Sequence, residues 1–131
     1  MKRTGLLNAR LNEVVARMGH GDLLVIADAG LPIPPGVELI DLSVARDLPR
    51  MLPVAEAISR ELAVERMIVA DELSTLGRIM LDEVRELAPG VPIDAVPHDE
   101  LKLVSRGAVA IVRTGECSPY ANVILVAGVT F

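Results

Sequence analysis

The sequence predicts an α/β fold, a single layered domain over residues 1–131 in which a central, partly parallel sheet is flanked by helices. Short apolar runs of strand length alternate along the chain with segments whose apolar residues recur every three or four positions, and this alternation is typical of parallel sheets. The length suits one domain, and no linker divides the chain. Because 51% of the residues are hydrophobic and only 2% are aromatic, we expect an aliphatic core.

The first half of the chain is predicted to contain two helices and three strands. A helix is expected over residues 6–18, and Gly19 ends it as a left-handed residue. The continuous apolar run Leu23–Ala27 predicts a strand buried on both faces, whereas the prolines that follow it exclude regular structure. The helical face of the first segment comprises Leu7, Leu11, Val14, Val15 and Met18. The remaining elements are a strand over 37–42, a helix over 52–62 and a strand over 64–70.

The second half continues the same alternation. Residues 76–87 are predicted to form one amphipathic helix, whose apolar face includes Leu76 and Ile79 and which stops at Pro89 and Gly90. The elements expected after it are a strand over 91–96, a short helix over 98–104 and strands over 108–112 and 123–126.

Composition excludes several classes of protein. The formal net charge of −5 argues against a nucleic-acid-binding protein, whose footprint is a basic face. The apolar runs fall far short of the about 20 residues that a membrane helix needs, and polar residues interrupt the N-terminal segment, so we expect neither a membrane span nor a signal peptide. The single cysteine, Cys117, cannot form an internal disulfide, and a reducing compartment fits that usage. We therefore expect a cytoplasmic protein.

No pattern in the sequence indicates a cofactor or a metal ion. The segment Gly19-His20-Gly21 lacks the third glycine of a dinucleotide fingerprint and follows a helix rather than a strand. Histidines and cysteines at metal-ligand spacing are missing, and so is a carboxylate cluster. The chemistry that remains is metal-free proton transfer.

The two histidines, His20 and His98, narrow the search for proton-transfer groups. His20 follows the first predicted helix, where the negative end of the helix dipole favours the imidazolium and hence a general acid. The alternative interpretation of His20 is a surface histidine at a helix C-terminus.

Three further residues follow or precede predicted strands. Asp28 ends the buried strand, where a carboxylate can orient a neighbouring imidazole or accept hydroxyl groups; the alternative is an aspartate that bonds the backbone of its own turn. Tyr120 and Asn122 would share a face if their segment were a strand, and they suit a polyhydroxylated ligand; the alternative is an ordinary connection between strands.

For Cys117 a buried packing role is expected.

Three blocks of the sequence resemble the D-ribose pyranase family. The first runs from Met18-Gly19-His20-Gly21-Asp22 to Ala27-Asp28-Ala29-Gly30-Leu31-Pro32-Ile33-Pro34, and the second is Pro97-His98-Asp99-Glu100-Leu101-Lys102. The third runs from Arg113-Thr114-Gly115-Glu116-Cys117-Ser118-Pro119-Tyr120-Ala121-Asn122 to Ala127-Gly128-Val129-Thr130-Phe131.

The resemblance implies an isomerase that interconverts the β-pyranose and β-furanose forms of D-ribose without a cofactor. It assigns His20 as the catalytic acid, and it assigns the sugar-binding role to Asp28, His98, Tyr120, Ala121 and Asn122. It also implies a homodecamer whose sites are completed by neighbouring subunits. Two alternatives stay open: a mutarotase of the L-fucose type, which shares the histidine and aspartate, and a non-catalytic sugar-binding accessory of ribose transport.

Overall fold

A computed structural model describes residues 1–131 and confirms the predicted α/β fold, in which helices flank one mixed sheet. The elements follow in the order α1 (Ala9–Arg17), β1 (Leu23–Ala27), β2 (Glu38–Asp41), α2 (Met51–Ser59), β3 (Val64–Ala70), α3 (Asp71–Leu76), α4 (Arg78–Arg85), β4 (Ile93–Val96), α5 (His98–Val104), β5 (Ala110–Arg113) and β6 (Val123–Ala127). A 3₁₀ turn, Ser105–Gly107, follows α5. None of the helices combines the length and the apolar character that crossing a membrane requires.

The six strands form one sheet in the order β2-β5-β1-β6-β3-β4. Strands β1 to β5 are mutually parallel, and β6 runs antiparallel between β1 and β3. The carboxyl ends of β1 to β5 and the start of β6 therefore lie along one edge, which we call the carboxyl edge. The amino ends of those five strands and the end of β6 lie along the opposite edge, the amino edge.

The central strand β1 is buried on both faces, as its continuous apolar run predicted. Leu24 and Ile26 belong to a core of 19 buried residues, which also receives the buried sides of α1, α2 and α4. Val25 and Ala27 belong to a second core of 10 buried residues, under α5. Each fully buried aliphatic side chain contributes about 1.5–3 kcal/mol, so the sheet is anchored from both sides.

Helix α1 (Ala9–Arg17) begins three residues later and ends one residue earlier than its apolar pattern indicated. The Asn8 side chain accepts the backbone N–H of Leu11 at 3.0 Å and caps the helix, and this leaves Leu7 outside it and 69% exposed. The prediction that Leu7 lies on the helical face is wrong for that reason. After the helix, the left-handed residue is Gly21 (φ +83°) rather than Gly19.

Helix α4 confirms the predicted helix over residues 78–85, but the predicted start at residue 76 is wrong, because a separate helix, α3, ends there. Helix α3 starts directly after β3, and Gly77 separates it from α4 with φ −135° and ψ 44°. A Cβ atom at Gly77 would lie 2.8 Å from the Leu73 side chain, which leaves little room for a larger residue. The break turns Leu76 and Ile79 toward solvent, while Leu81 and Val84 carry the buried face of α4.

A buried carboxylate, Glu116, holds the loop between β5 and β6. Its side chain is 1% exposed and accepts hydrogen bonds from the Arg50 guanidinium (3.1 and 3.3 Å) and from the backbone N–H groups of Met51 (3.2 Å) and Ser118 (3.3 Å). Because Met51 is the first residue of α2, this carboxylate also caps that helix. Burial raises the pKa of Glu116, but the bonds from Arg50, Ser118 and Met51 outweigh it and hold the pKa below its usual 4.5.

We expect Glu116→Gln to lower the free energy of unfolding by about 1–3 kcal/mol at neutral pH, because charge-assisted hydrogen bonds are lost from a buried site. Since the folded-state pKa is lowered, the carboxylate's contribution is complete above 4.5 and disappears as the pH falls through the lowered folded value. The difference between the two proteins should therefore shrink on acidification, as followed by urea denaturation. Glu56→Gln, on the exposed face of α2, is the control. Equal stability at neutral pH would contradict the anchoring role.

Candidate functional site

Asp28 and Asn122 form a hydrogen-bonded pair at the carboxyl edge of the sheet. Asp28 follows β1 and Asn122 precedes β6, and the antiparallel pairing of these strands brings them together. The Asn122 Oδ1 accepts the backbone N–H of Asp28 at 2.9 Å, and its Nδ2 donates to the Asp28 Oδ2 at 2.9 Å. Asn122 is fully buried, so it holds the half-buried Asp28 carboxylate in one orientation.

Asp28 also forms the turn bond that the alternative interpretation proposed. Its Oδ1 accepts the backbone N–H of Gly30 at 2.9 Å. Each carboxylate oxygen has more than one acceptor direction, so the turn bond and the bond from Asn122 leave further capacity for a ligand.

His98 and Tyr120 lie at the same edge of the sheet, since His98 follows β4 and Tyr120 precedes β6. Their ring centroids are 5.2 Å apart in an edge-to-face arrangement. The carboxylate of Glu72 accepts the backbone N–H of His98, with the nearer oxygen at 3.1 Å, and thereby fixes the first residue of α5. The Nδ1 of His98 is buried and has no hydrogen-bond partner within the chain.

The segment with Tyr120 and Asn122 is a turn and not a strand. Tyr120 has φ 60°, a left-handed conformation that costs a non-glycine residue roughly 1–2 kcal/mol. The backbone N–H of Asn122 bonds to the Tyr120 carbonyl at 2.8 Å and closes this turn. The predicted strand alternation of the two side chains is therefore wrong, and the tight turn is what joins the Tyr120–His98 pair to the Asn122–Asp28 pair. Strained backbone of this kind is frequent at functional sites.

Ala121, between those two residues, is fully buried and packs in the larger core. Its methyl group therefore faces the core and is not open to a ligand.

A cleft of about 430 Å³ opens beside Asp28, between the loop after β1 and the loop before β6. Arg46 lines the same cleft and adds a positive charge that the sequence patterns did not indicate, because residue 46 is distant from Asp28 along the chain. Cys117 also lines it and is exposed, so the predicted packing role of this cysteine is wrong. No group of three or more histidine, cysteine or acidic side chains is placed to hold a metal ion.

The helix that begins at His98 carries one further charged pair. Lys102 lies 2.7 Å from Asp99, and this hydrogen bond and the charge of Lys102 lower the pKa of Asp99. Asp99 is therefore an ionised, exposed carboxylate that forms an ion pair with Lys102.

His20 lies at the opposite, amino edge of the sheet. The backbone N–H of Gly21 bonds to the carbonyl of Ala127, the last residue of β6, at 2.8 Å. The whole of β1 separates His20 from Asp28, and a five-residue strand spans about 13 Å. Within one chain, therefore, the imidazole that Asp28 was expected to orient is not that of His20. The neighbour of His20 is Glu65, whose Oε2 lies 2.8 Å from the His20 Nε2.

The four side chains gathered at the carboxyl edge offer a carboxylate, an imidazole, a phenol and an amide around one turn. These groups donate and accept hydrogen bonds, a combination suited to a small ligand rich in hydroxyl groups. Glu65, Glu72 and Arg46 were missed by the sequence analysis, since each acts through a residue distant along the chain.

Known proteins of one family match this chain over its full length or nearly so. A model of the RbsD / FucU transport protein family matches residues 1–130. A protein named D-ribose pyranase from Symbiobacterium thermophilum is 56% identical over 131 residues, and another from Laribacter hongkongensis is 50% identical over 131 residues, with 100% of each chain covered.

Solved structures of the same family also match the fold of this chain. The structure of Bacillus subtilis RbsD complexed with D-ribose has a TM-score of 0.96 and 44% identity, with 100% of both chains covered. The fucose mutarotase from Streptococcus pneumoniae in complex with L-fucose has a TM-score of 0.80 and 26% identity, with 95% of both chains covered. The chain therefore belongs to the RbsD / FucU family.

Proposed function

We propose that the protein is a D-ribose pyranase, an isomerase that interconverts the β-pyranose and β-furanose forms of D-ribose. The observation that carries this proposal is the 56% identity, over the whole of both chains, to a relative named D-ribose pyranase. The chemistry of the groups at the carboxyl edge supports it, because the reaction needs hydrogen bonds to several hydroxyls and positioned proton donors and acceptors.

The reaction opens and recloses a hemiacetal. In the pyranose the anomeric hydroxyl loses a proton as the ring oxygen gains one, and the ring bond breaks to give the open aldehyde. A different hydroxyl then attacks the aldehyde and closes the furanose. Positioned acid–base groups each accelerate such steps by about 10²–10⁴-fold, and holding the sugar in place adds to this. The reaction itself requires neither a metal ion nor a cofactor.

The residues divide between binding and proton transfer. Asp28, held by Asn122, accepts sugar hydroxyls, and the backbone around Ala121 contributes to the same binding segment. The His98 imidazole and the Tyr120 hydroxyl bind the sugar and handle its moving hydroxyl protons. His20 is the catalytic acid that protonates the ring oxygen.

The acid must come from a second copy of the chain. His20 and Asp28 belong to opposite edges of one sheet, so a single chain cannot apply both to one sugar. Each site therefore takes Asp28, His98, Tyr120 and Asn122 from one subunit and His20 from a neighbour. The assembly is a homo-oligomer, with the decamer of the family resemblance as its expected form, and it acts in the cytoplasm.

We expect His20→Ala to abolish catalysed exchange between the pyranose and furanose signals of D-ribose, because the ring oxygen loses its proton donor. Saturation transfer between the anomeric proton resonances measures this exchange, and titration calorimetry should still detect ribose binding. Full activity in the variant would show that another group is the acid.

The same experiment on the unmodified protein separates the alternatives. If ribose binds without enhanced exchange, the protein is a sugar-binding accessory. If ribose neither binds nor exchanges, the anomer exchange of L-fucose is the next measurement, and its acceleration would identify a mutarotase of the fucose type.

We expect Asp28→Asn to weaken ribose binding by about 10–100-fold, the equivalent of one charge-assisted hydrogen bond. The amide also has only one oxygen, so it can accept from the Asn122 Nδ2 or from the Gly30 N–H but not from both. Calorimetry with the folded protein measures the change. Asp82→Asn, on the exposed surface of α4, is the matched control. Unchanged affinity in Asp28→Asn would remove Asp28 from the binding set.

Mixing the two impaired variants, at a ribose concentration too low to saturate Asp28→Asn, tests whether sites span two subunits. His20→Ala and Asp28→Asn chains, co-expressed at equal levels, should regain activity, because random assembly leaves about one quarter of two-chain sites with both residues intact. Each variant alone stays impaired. No recovery in verified mixed oligomers would contradict a shared site.

A further inference from the structure

Glu65 occupies an irregular position in the sheet, at the amino edge near His20. In the pairing of β3 with β6, Val64 lies opposite Ala127 and Arg66 lies opposite Val126. Glu65 is therefore an extra residue in β3, the signature of a β-bulge. Bulges redirect a side chain away from the regular alternation of a strand and occur often beside active sites.

The sheet leaves space for the redirected side chain at Gly128. A Cβ atom at this position would lie 2.9 Å from the Cβ of Glu65 and 3.4 Å from its Oε2. The first distance is shorter than such contacts tolerate, so a side chain at residue 128 would displace Glu65. The backbone there is fixed, since the N–H of Gly128 bonds to the carbonyl of Ala63 at 2.7 Å.

The redirected carboxylate contacts His20 and no cation competes for it. Its Oε2 lies 2.8 Å from the His20 Nε2. Arg66, the next residue in the strand, turns instead to Asp94 on β4, at 3.1 Å. Asp22, the other acid near His20 in the sequence, is occupied by the backbone N–H of Gly19 at 2.8 Å.

We propose that Glu65 is the positioning residue of His20 and that it makes Nδ1 the atom through which His20 exchanges protons. An ionised carboxylate only accepts hydrogen bonds, so the Nε2 of His20 must donate to it and keep its hydrogen. Nδ1 is then the nitrogen left to the substrate. The contact between Glu65 and His20 follows from geometry alone, whereas its role in turnover rests on the proposed pyranase function.

The proton balance of ring opening follows from this assignment. The imidazolium of His20 passes its Nδ1 proton to the ring oxygen as the bond from the anomeric carbon to that oxygen breaks. The anomeric hydroxyl gives its proton to an acceptor in the cleft, and the aldehyde forms. The His20 ring is then neutral, and its Nε2–H group still donates to the carboxylate of Glu65. Ring closure through a different hydroxyl runs the same transfers in reverse.

The kinetic test uses Glu65→Ala, Glu65→Gln and, as a matched control, Asp94→Asn, which removes another exposed carboxylate from the same sheet. Glu65→Ala should lower kcat for ribose exchange by about tenfold or more, the equivalent of one hydrogen bond to a charged group, with little change in KM. Glu65→Gln should retain more activity, because its amide oxygen still accepts the Nε2 hydrogen. Asp94→Asn should behave as the unmodified protein.

Gly128→Ala tests the geometry by a different route. It should lower kcat as Glu65→Ala does, and the double variant should show no further loss, because both changes remove the same contact. A kcat in Glu65→Ala equal to that of the control would overturn the proposal. A loss that appears only in KM would also overturn it, since a positioning residue acts on the proton-transfer step.

A second readout is independent of turnover. NMR relaxation of the imidazole C–H groups in histidine-labelled oligomer reports ring mobility, and the His20 signal is the one that His20→Ala removes. The ring should be ordered in the unmodified protein, mobile in Glu65→Ala and Gly128→Ala, and unchanged in Asp94→Asn. An ordered ring in Glu65→Ala would overturn the proposal. If the unmodified protein fails to accelerate ribose exchange, the proposed function fails, and this measurement still decides whether Glu65 holds His20.

Discussion

The antiparallel strand β6, inserted between β1 and β3, is the constraint on which the arrangement of functional groups depends. Its pairing with β1 sets Ile26 opposite Val123, so the turn before β6 meets the end of β1 and the Asn122–Asp28 pair can form. Its other end carries Gly128 to the start of β3, where Glu65 turns toward His20. In an all-parallel sheet the start of β6 would lie at the amino edge, and Asn122 would be a strand length away from Asp28.

Buried polar groups hold the loops at the carboxyl edge in place. Thr114, fully buried, donates its hydroxyl to the carbonyl of Ala27 at 2.7 Å and accepts the N–H of Glu116 at 3.2 Å. Glu116 then ties the same loop to Arg50 and to the start of α2. A buried polar group destabilises a fold unless it is paired, and these groups satisfy one another. The result is a fixed loop in which a strained residue such as Tyr120 keeps its conformation.

Two glutamates hold the two histidines in different ways. Glu72 contacts the backbone N–H of His98 and leaves the imidazole free, whereas Glu65 contacts the imidazole of His20 directly. The first arrangement places a ring by fixing the helix that carries it. The second fixes the ring itself and selects which nitrogen exchanges protons. This difference fits the proposed roles. A sugar-binding side chain such as His98 needs only a fixed position, whereas a catalytic acid such as His20 must carry its transferable proton on one defined nitrogen.

The sequence by itself determined the α/β class, the doubly buried strand β1 and the helix that starts at His98, because periodicity and apolar runs report burial within one element. It also identified Asp28, Asn122, His98 and Tyr120 as candidates, which the fold gathers at one edge. Only the tertiary structure decided the break at Gly77, the anchoring by Glu116, the contact of Glu65 with His20 and the separation of His20 from Asp28. These features depend on strand order and direction, which join residues distant along the chain and leave no local pattern in the sequence.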